Sequence, residues 1–252
     1  MLGEEFVTGE SPIHHIDPRV KIIGTVAFSV VVALSNGLET LVAALVISLV
    51  PAVQARLPVK PFLARLFFAN GLIFFIWIIL PFTYDGTSLF SIGPLVLSTE
   101  GLMHALRITL KCNAILIITI AALGTTPVFA IGYALDQLHV PGKLTNLMVF
   151  TYRYIHVIFR EYVKLTNAMK IRGFRPDTTV HTYRSYAYLV GMLLARSYDR
   201  AERIHQAMLC RGFSGRYHSL CRYSIGGRDM LYFAAMIAAV LLLVILQWNR
   251  IP

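Results

Sequence analysis

Ala168 Met169 Lys170 Ile171 Arg172 Gly173 Phe174 and Ala207 Met208 Leu209 Cys210 Arg211 Gly212 Phe213 are near-copies of one phrase, matching at five of seven positions across a 39-residue offset. Each has the form of a helix end. Gly173 and Gly212 suit the left-handed position just past a helix, and the Phe that follows can close back on the Met three residues before the cap. Arg172 and Arg211 complement the negative helix C-terminus. Capping accounts for Met, Gly and Phe. It does not require the same spelling twice, and the alternative is that each tip offers one Arg and a small cap to a partner surface. Two matching tips then imply a partner with two matching grooves.

The rest of the chain is built for lipid. Apolar residues make up 56% of its 252 residues and charged ones 14%, with a mean hydropathy of +0.65, far from the soluble average. Apolar runs suited to spans lie at about 20–36, 38–55, 62–81, 101–124 and 229–248, each near the roughly 20 residues a crossing needs. The expected fold is all-α: a polytopic membrane protein with about five transmembrane helices. The short turn Ser35, Asn36, Gly37 makes the first two spans a tight hairpin. The opening residues carry Glu4, Glu5 and Glu10 and no basic residue, so no secretory signal is expected and the first span is retained.

Charge gives the orientation. Arg19 and Lys21 precede the first span, and Arg56, Lys60 and Arg65 follow the second, while the connections at 35–39 and 82–100 hold no Lys or Arg. The positive-inside rule then puts the N-terminus in the cytoplasm and the C-terminus outside. Residues 125–228 carry fifteen Lys plus Arg against five Asp plus Glu, a balance equal to the net charge of +10 for the whole chain. This basic region falls on the cytoplasmic side by the same count. The domains expected are an N-terminal bundle over 1–124, a cytoplasmic helical region over 125–228 and a last span over 229–252.

The basic region reads as three helices: Pro127 to Leu138, about Lys143 to Arg172, and about Thr182 to Arg211. Both long ones carry apolar stripes but too many charges to cross a bilayer, which suits an amphipathic pair at or below the membrane surface. Its tyrosines could stack on bases, but cytoplasmic Lys and Arg with interfacial aromatics are expected of a membrane protein without nucleic acid.

With these features in place, the chain resembles the transmembrane coupling (T) component of energy-coupling-factor ABC transporters, the CbiQ/EcfT family, most of all its cobalt-transport member CbiQ. The family's two cytoplasmic coupling helices end in Ala, Arg, Gly signatures that dock in grooves of the ATPase subunits. The triplets here are Ile171, Arg172, Gly173 and Cys210, Arg211, Gly212. Arg and Gly match, whereas Ile171 and Cys210 stand where the family has Ala. Asp17, Pro18, Arg19 and Lys21 are similar to the family's entry phrase, although an N-cap, a first-turn Pro and basic residues suit any helix starting inside.

The resemblance implies a cell-membrane subunit of bacteria or archaea without catalytic activity of its own. Its implied partners are an ABC ATPase pair (CbiO-like) that binds ATP and Mg, a metal-binding membrane S component (CbiM-like) and a small accessory membrane subunit. Cobalt or nickel uptake and a link to cobalamin biosynthesis follow from the same resemblance; the other reading is a general coupling subunit serving vitamin-binding partners. No Gly-x-x-x-x-Gly-Lys-Ser/Thr phosphate loop occurs, and the Met-His opening of the metal-capturing subunit is absent.

Other candidates are weighed beside this one. His14, His15 and Asp17 hold metal-ligand atoms, but adjacent histidines point apart and no fourth ligand is spaced nearby, so no metal site is assigned. Arg107 and Lys111 share one face of the fourth span; either they lie within the bilayer facing protein, or the span begins later and both sit at the headgroups. His104, Thr109, Asn113 and Thr119 would be an intramembrane enzyme's polar groups, but no oriented acid, base or metal set is evident. Small residues such as Gly191 and Ala195 either permit sliding helix contacts or are ordinary packing residues. Cys112, Cys210 and Cys221 are too few and scattered for a disulfide framework.

Overall fold

Asp17 opens the first long helix, α1 (Pro18–Leu34), by accepting a hydrogen bond from the Arg19 amide at 2.9 Å, with Pro18 in the first turn. A 3-10 turn, Pro12–His15, precedes it. After the Ser35, Asn36, Gly37 turn comes α2 (Leu38–Gln54), then α3 (Val59–Thr83), two short strands β1 (Ser88–Ile92) and β2 (Leu95–Ser98), and α4 (Thr99–Ala122). Then follow α5 (Val128–Gln137), α6 (Gly142–Ile171), α7 (Val180–Cys210) and α8 (Gly227–Trp248). This is a computed structural model that describes residues 6, 9, 11–83, 88–92, 95–213 and 226–248.

Each of the five expected spans is a helix. α3, α4 and α8, at 25, 24 and 22 residues, are long and apolar enough to cross a membrane. α1 and α2 have 17 residues each, about 26 Å at 1.5 Å per residue, a little short of a hydrocarbon core of about 30 Å. The three helices expected in the basic region are α5, α6 and α7. Among the described residues the regular structure is helical apart from the antiparallel pair β1–β2, where Ile92 lies opposite Leu95. This pair lies within the connection expected over 82–100.

The chain divides into two units, residues 1–134 with 222–252, and residues 135–221. In the first, α1, α2, α4 and α8 share a core of Phe28, Val32, Leu41, Ala44, Ala114, Ile118, Met236 and Leu243. α3 lies against α4 and leaves Phe67, Phe68, Leu72, Phe74 and Phe75 exposed. A helix apolar on every side with so little of it covered is suited to a lipid surround. Apolar packing of Phe62 and Leu66 on Ala52, Ile117 and Ala121 holds α3, and polar bonds add to it: Asn70 and Asn113 exchange amide hydrogen bonds at 3.0 Å each, and Trp77 Nε1 donates to Thr109 Oγ1 at 2.8 Å. The second unit is dominated by α6 and α7.

Candidate coupling site

The two repeated phrases fold alike. At the end of α6 the Gly173 amide donates to the Lys170 carbonyl at 3.0 Å and the Phe174 amide to the Met169 carbonyl at 3.1 Å. At the end of α7 the Gly212 amide donates to Leu209 at 3.0 Å and Phe213 to Met208 at 3.1 Å. This is the Schellman pair of bonds, and it needs a left-handed residue. Gly173 and Gly212 supply it with φ of +80° and +79°. Met169, Phe174, Met208 and Phe213 are half-buried beneath the two turns, whereas Ile171, Arg172, Gly173, Cys210, Arg211 and Gly212 are exposed. The capping expected from sequence is present at both sites, and the Arg of each phrase is left facing outward.

α6 and α7 run antiparallel. Glu161 of α6 pairs with Arg196 of α7. To one side, Phe150, Tyr154 and Ile158 face Ala201, Ile204 and Met208 across an apolar cleft of about 300 Å³. To the other, Met169 and Phe174 face Tyr188, Leu189 and Met192 across a cleft of about 580 Å³ that reaches Arg172 and Gly173. The Gly173 tip is therefore at the α6–α7 turn and the Gly212 tip at the opposite end of α7, whose 31 residues extend about 46 Å. The N-terminus of α7 is fixed by Thr179, whose Oγ1 accepts from the Thr182 amide at 3.4 Å. Arg196 beside Glu161 holds its carboxyl below the usual carboxylate range. Gly191 and Ala195 are exposed, with open space beside Gly191.

The entry residues gather into a buried polar cluster. Asp17 and Lys21 are each 1% exposed and Asp229 7%. Asp229 Oδ1 accepts from the Asp17 amide at 3.0 Å and its Oδ2 from the Gly226 amide at 2.8 Å. Lys21 Nζ donates to Thr126 Oγ1 at 3.0 Å. Arg19 lies over the Tyr133 ring at 5.5 Å and 3.8 Å from Asp17 Oδ1. Asp17 is thus occupied as a cap, and His14 bonds Ser11 Oγ and the Phe6 carbonyl, so His14, His15 and Asp17 do not converge. Among the described residues no group of three or more His, Cys, Asp or Glu is placed to hold a metal.

Lys111 turns toward protein. Its Nζ donates to the Ala33 carbonyl at 2.8 Å and to Asn36 Oδ1 at 3.2 Å, at the C-terminal end of α1. A cation there complements the negative helix terminus. Arg107, one turn earlier, has a buried Nε without a hydrogen-bond partner. Thr109, Asn113 and Thr119 are spent on α3 or on their own helix, Thr119 Oγ1 donating to the Ile115 carbonyl at 2.7 Å. Cys112 is half-buried and Cys210 exposed, both free; Cys221 lies outside the described residues.

The family model CbiQ, described as cobalt transport protein, matches residues 9–220, taking in the entry phrase and both tips. The chain belongs to the CbiQ family. Its relatives include the energy-coupling factor transporter transmembrane protein EcfT of Leuconostoc gelidum, 29% identical over 98% of this chain and 97% of the relative. Proteins of the same name match from Lactococcus lactis, 26% identical over 100% and 98%, and from Bacillus subtilis, 28% identical over 85% of each.

In this CbiQ-family chain, three site features escaped the sequence reading. Asp229 as partner of Asp17 was one, although an acid in the first turn of an apolar helix after Gly226 and Gly227 is a capping signal. Thr126 as the acceptor of Lys21 was the second, since a Thr just before a first-turn Pro carries only a capping signal. The Glu161–Arg196 pair was the third; nothing in one sequence selects it among the charges of α6 and α7.

Proposed function

We propose that this CbiQ-family chain is the non-catalytic transmembrane coupling subunit of an energy-coupling-factor importer. The observation that carries the reading is the pair of exposed Arg tips, built by the same hydrogen bonds and set at opposite ends of α7. One tip serves each half of an ABC ATPase pair (CbiO-like): Ile171, Arg172 and Gly173 enter one groove and Cys210, Arg211 and Gly212 the other. ATP and Mg belong to those partners. An exposed guanidinium carried on a capped helix end suits a groove lined by acids or carbonyls.

ATP-driven closure of the pair would move the tips, and the stiff α6–α7 hairpin would carry that movement as a unit. The other partner is a metal-binding membrane S component (CbiM-like), with a small accessory membrane subunit. The cargo is cobalt or nickel, supported by the description of the matched family. The N-terminus and residues 125–228 face the cytoplasm and the C-terminus the outside, a reading supported by the excess of Lys and Arg over 125–228.

Affinity purification of the tagged chain from its native membrane, with identification of what comes with it, tests the assignment. An ABC ATPase pair and one metal-binding membrane subunit support it. Several vitamin-binding subunits would overturn the metal cargo, and absence of any ATPase would overturn the coupling role.

A further inference from the structure

Resting on the coupling role above, we propose that Asp229, Asp17 and Lys21 are positioning residues that fasten both chain ends of the coupling region to the first turn of α1. Four elements meet in their cluster. The Asp229 carboxylate serves the starts of two helices at once, taking the Asp17 amide at the head of α1 and the Gly226 amide at the head of α8. The buried Lys21 ammonium reaches Thr126, whose hydroxyl donates to the Ala122 carbonyl at the end of α4. Arg19 reaches forward to Tyr133 of α5.

Thr126 and Tyr133 stand just before residues 135–221, and Asp229 just after them. The chain leading into the coupling region is thus bonded to Lys21 and Arg19, and the chain leading out of it to the Asp17 amide. Apolar packing would hold the helix starts together without the desolvation that buried charges cost. Charges in their place fix direction and register, because each bond has one partner and one angle.

The cluster also has unused bonding capacity. Asp17 Oδ2 and Arg19 Nε are buried without hydrogen-bond partners, and Arg19 Nε stands 3.8 Å from Asp17 Oδ1. A shift of about 1 Å would bring it to the length of a charge-assisted hydrogen bond. The cluster can therefore exchange partners when the coupling region pulls on its ends, which passes the movement to α1.

The test uses the assembled transporter, purified through the tagged chain and reconstituted in vesicles, with metal uptake and ATP hydrolysis measured together. Lys21→Met and Asp229→Asn should keep the ATPase bound but lower uptake per ATP hydrolysed about fivefold or more. A residue that only stabilises the chain would lower the yield of complex and leave that ratio unchanged. A ratio within twofold of the unsubstituted transporter in both variants overturns the proposal. Should neither variant assemble, Thr126→Val, which removes only the acceptor of Lys21, decides by the same ratio. Failure of the coupling role itself would show earlier, as no ATPase on the unsubstituted chain.

Discussion

Glu161 on α6 and Arg196 on α7 form an ion pair near the middle of α7, with an apolar cleft on either side of it. Because the clefts leave the two helices open toward both ends, this pair is placed to set their crossing, and through it the relation of the Arg172 tip to the Arg211 tip. Glu161→Arg and Arg196→Glu should each lower uptake, and the exchanged pair carrying both substitutions should recover most of it. Reconstituted uptake with a double-mutant cycle measures this; equal loss in all three variants would count against a role for the pair.

The same pair sets a pH expectation. Arg196 depresses the Glu161 carboxyl, so the pairing contribution is fully present above the unfolded carboxylate value of about 4.3 and is lost as pH falls through the lower folded value. Between pH 6 and 8 the pair stays ionised. Carbon-13 NMR of the Glu161 carboxyl should show no titration in that range, and its midpoint should rise when Arg196 is replaced by Leu.

The tip glycines are backbone requirements. Gly173→Ala and Gly212→Ala place a Cβ at φ near +80°, a cost of about 1–2 kcal/mol each. Gly191→Ala is the control, since the site lies inside α7 with open space around it and the change favours the helix by about 1 kcal/mol. Thermal unfolding in detergent should order the variants Gly191→Ala above the unsubstituted chain and both tip variants below it.

Asn70 and Asn113 each give one amide hydrogen to the partner and the other to a carbonyl of their own helix, Leu66 and Thr109 respectively, both at 2.9 Å. Either single change to Leu leaves an amide without its partner between α3 and α4. A double-mutant cycle of detergent unfolding should return a coupling of about 0.6–2 kcal/mol; additive losses would show that the pair does not hold α3.

What could be read from sequence was local. Lys143 to Arg172 was expected as a helix and α6 runs Gly142–Ile171, because charge and apolar periodicity continue unbroken up to a glycine that must turn left-handed. Asp17 and Pro18 announced the start of α1 in the same way. What was missed depends on distance along the chain or on weak signals. Asp17 and Asp229 are 212 residues apart, and no local pattern pairs them. The β1–β2 hairpin has a signal of its own, apolar and β-branched runs on either side of Gly93 and Pro94, which the absence of Lys and Arg from that loop does not convey. The partners of Lys111, the Ala33 carbonyl and Asn36 Oδ1 at the end of α1, lie more than 70 residues before it, and no local pattern joins them.

If two Arg tips hold one ATPase pair, co-purification of ATPase with Arg172→Glu, Arg211→Glu and the double variant reads each tip in turn. The tips stand at opposite ends of a helix about 46 Å long, so their effects should be independent. Each single reversal should weaken ATPase binding about tenfold, or roughly 1.4 kcal/mol, and the double reversal about a hundredfold while the chain stays folded in the membrane. Full ATPase binding and full uptake in the double variant would show that the tips do not dock the ATPase.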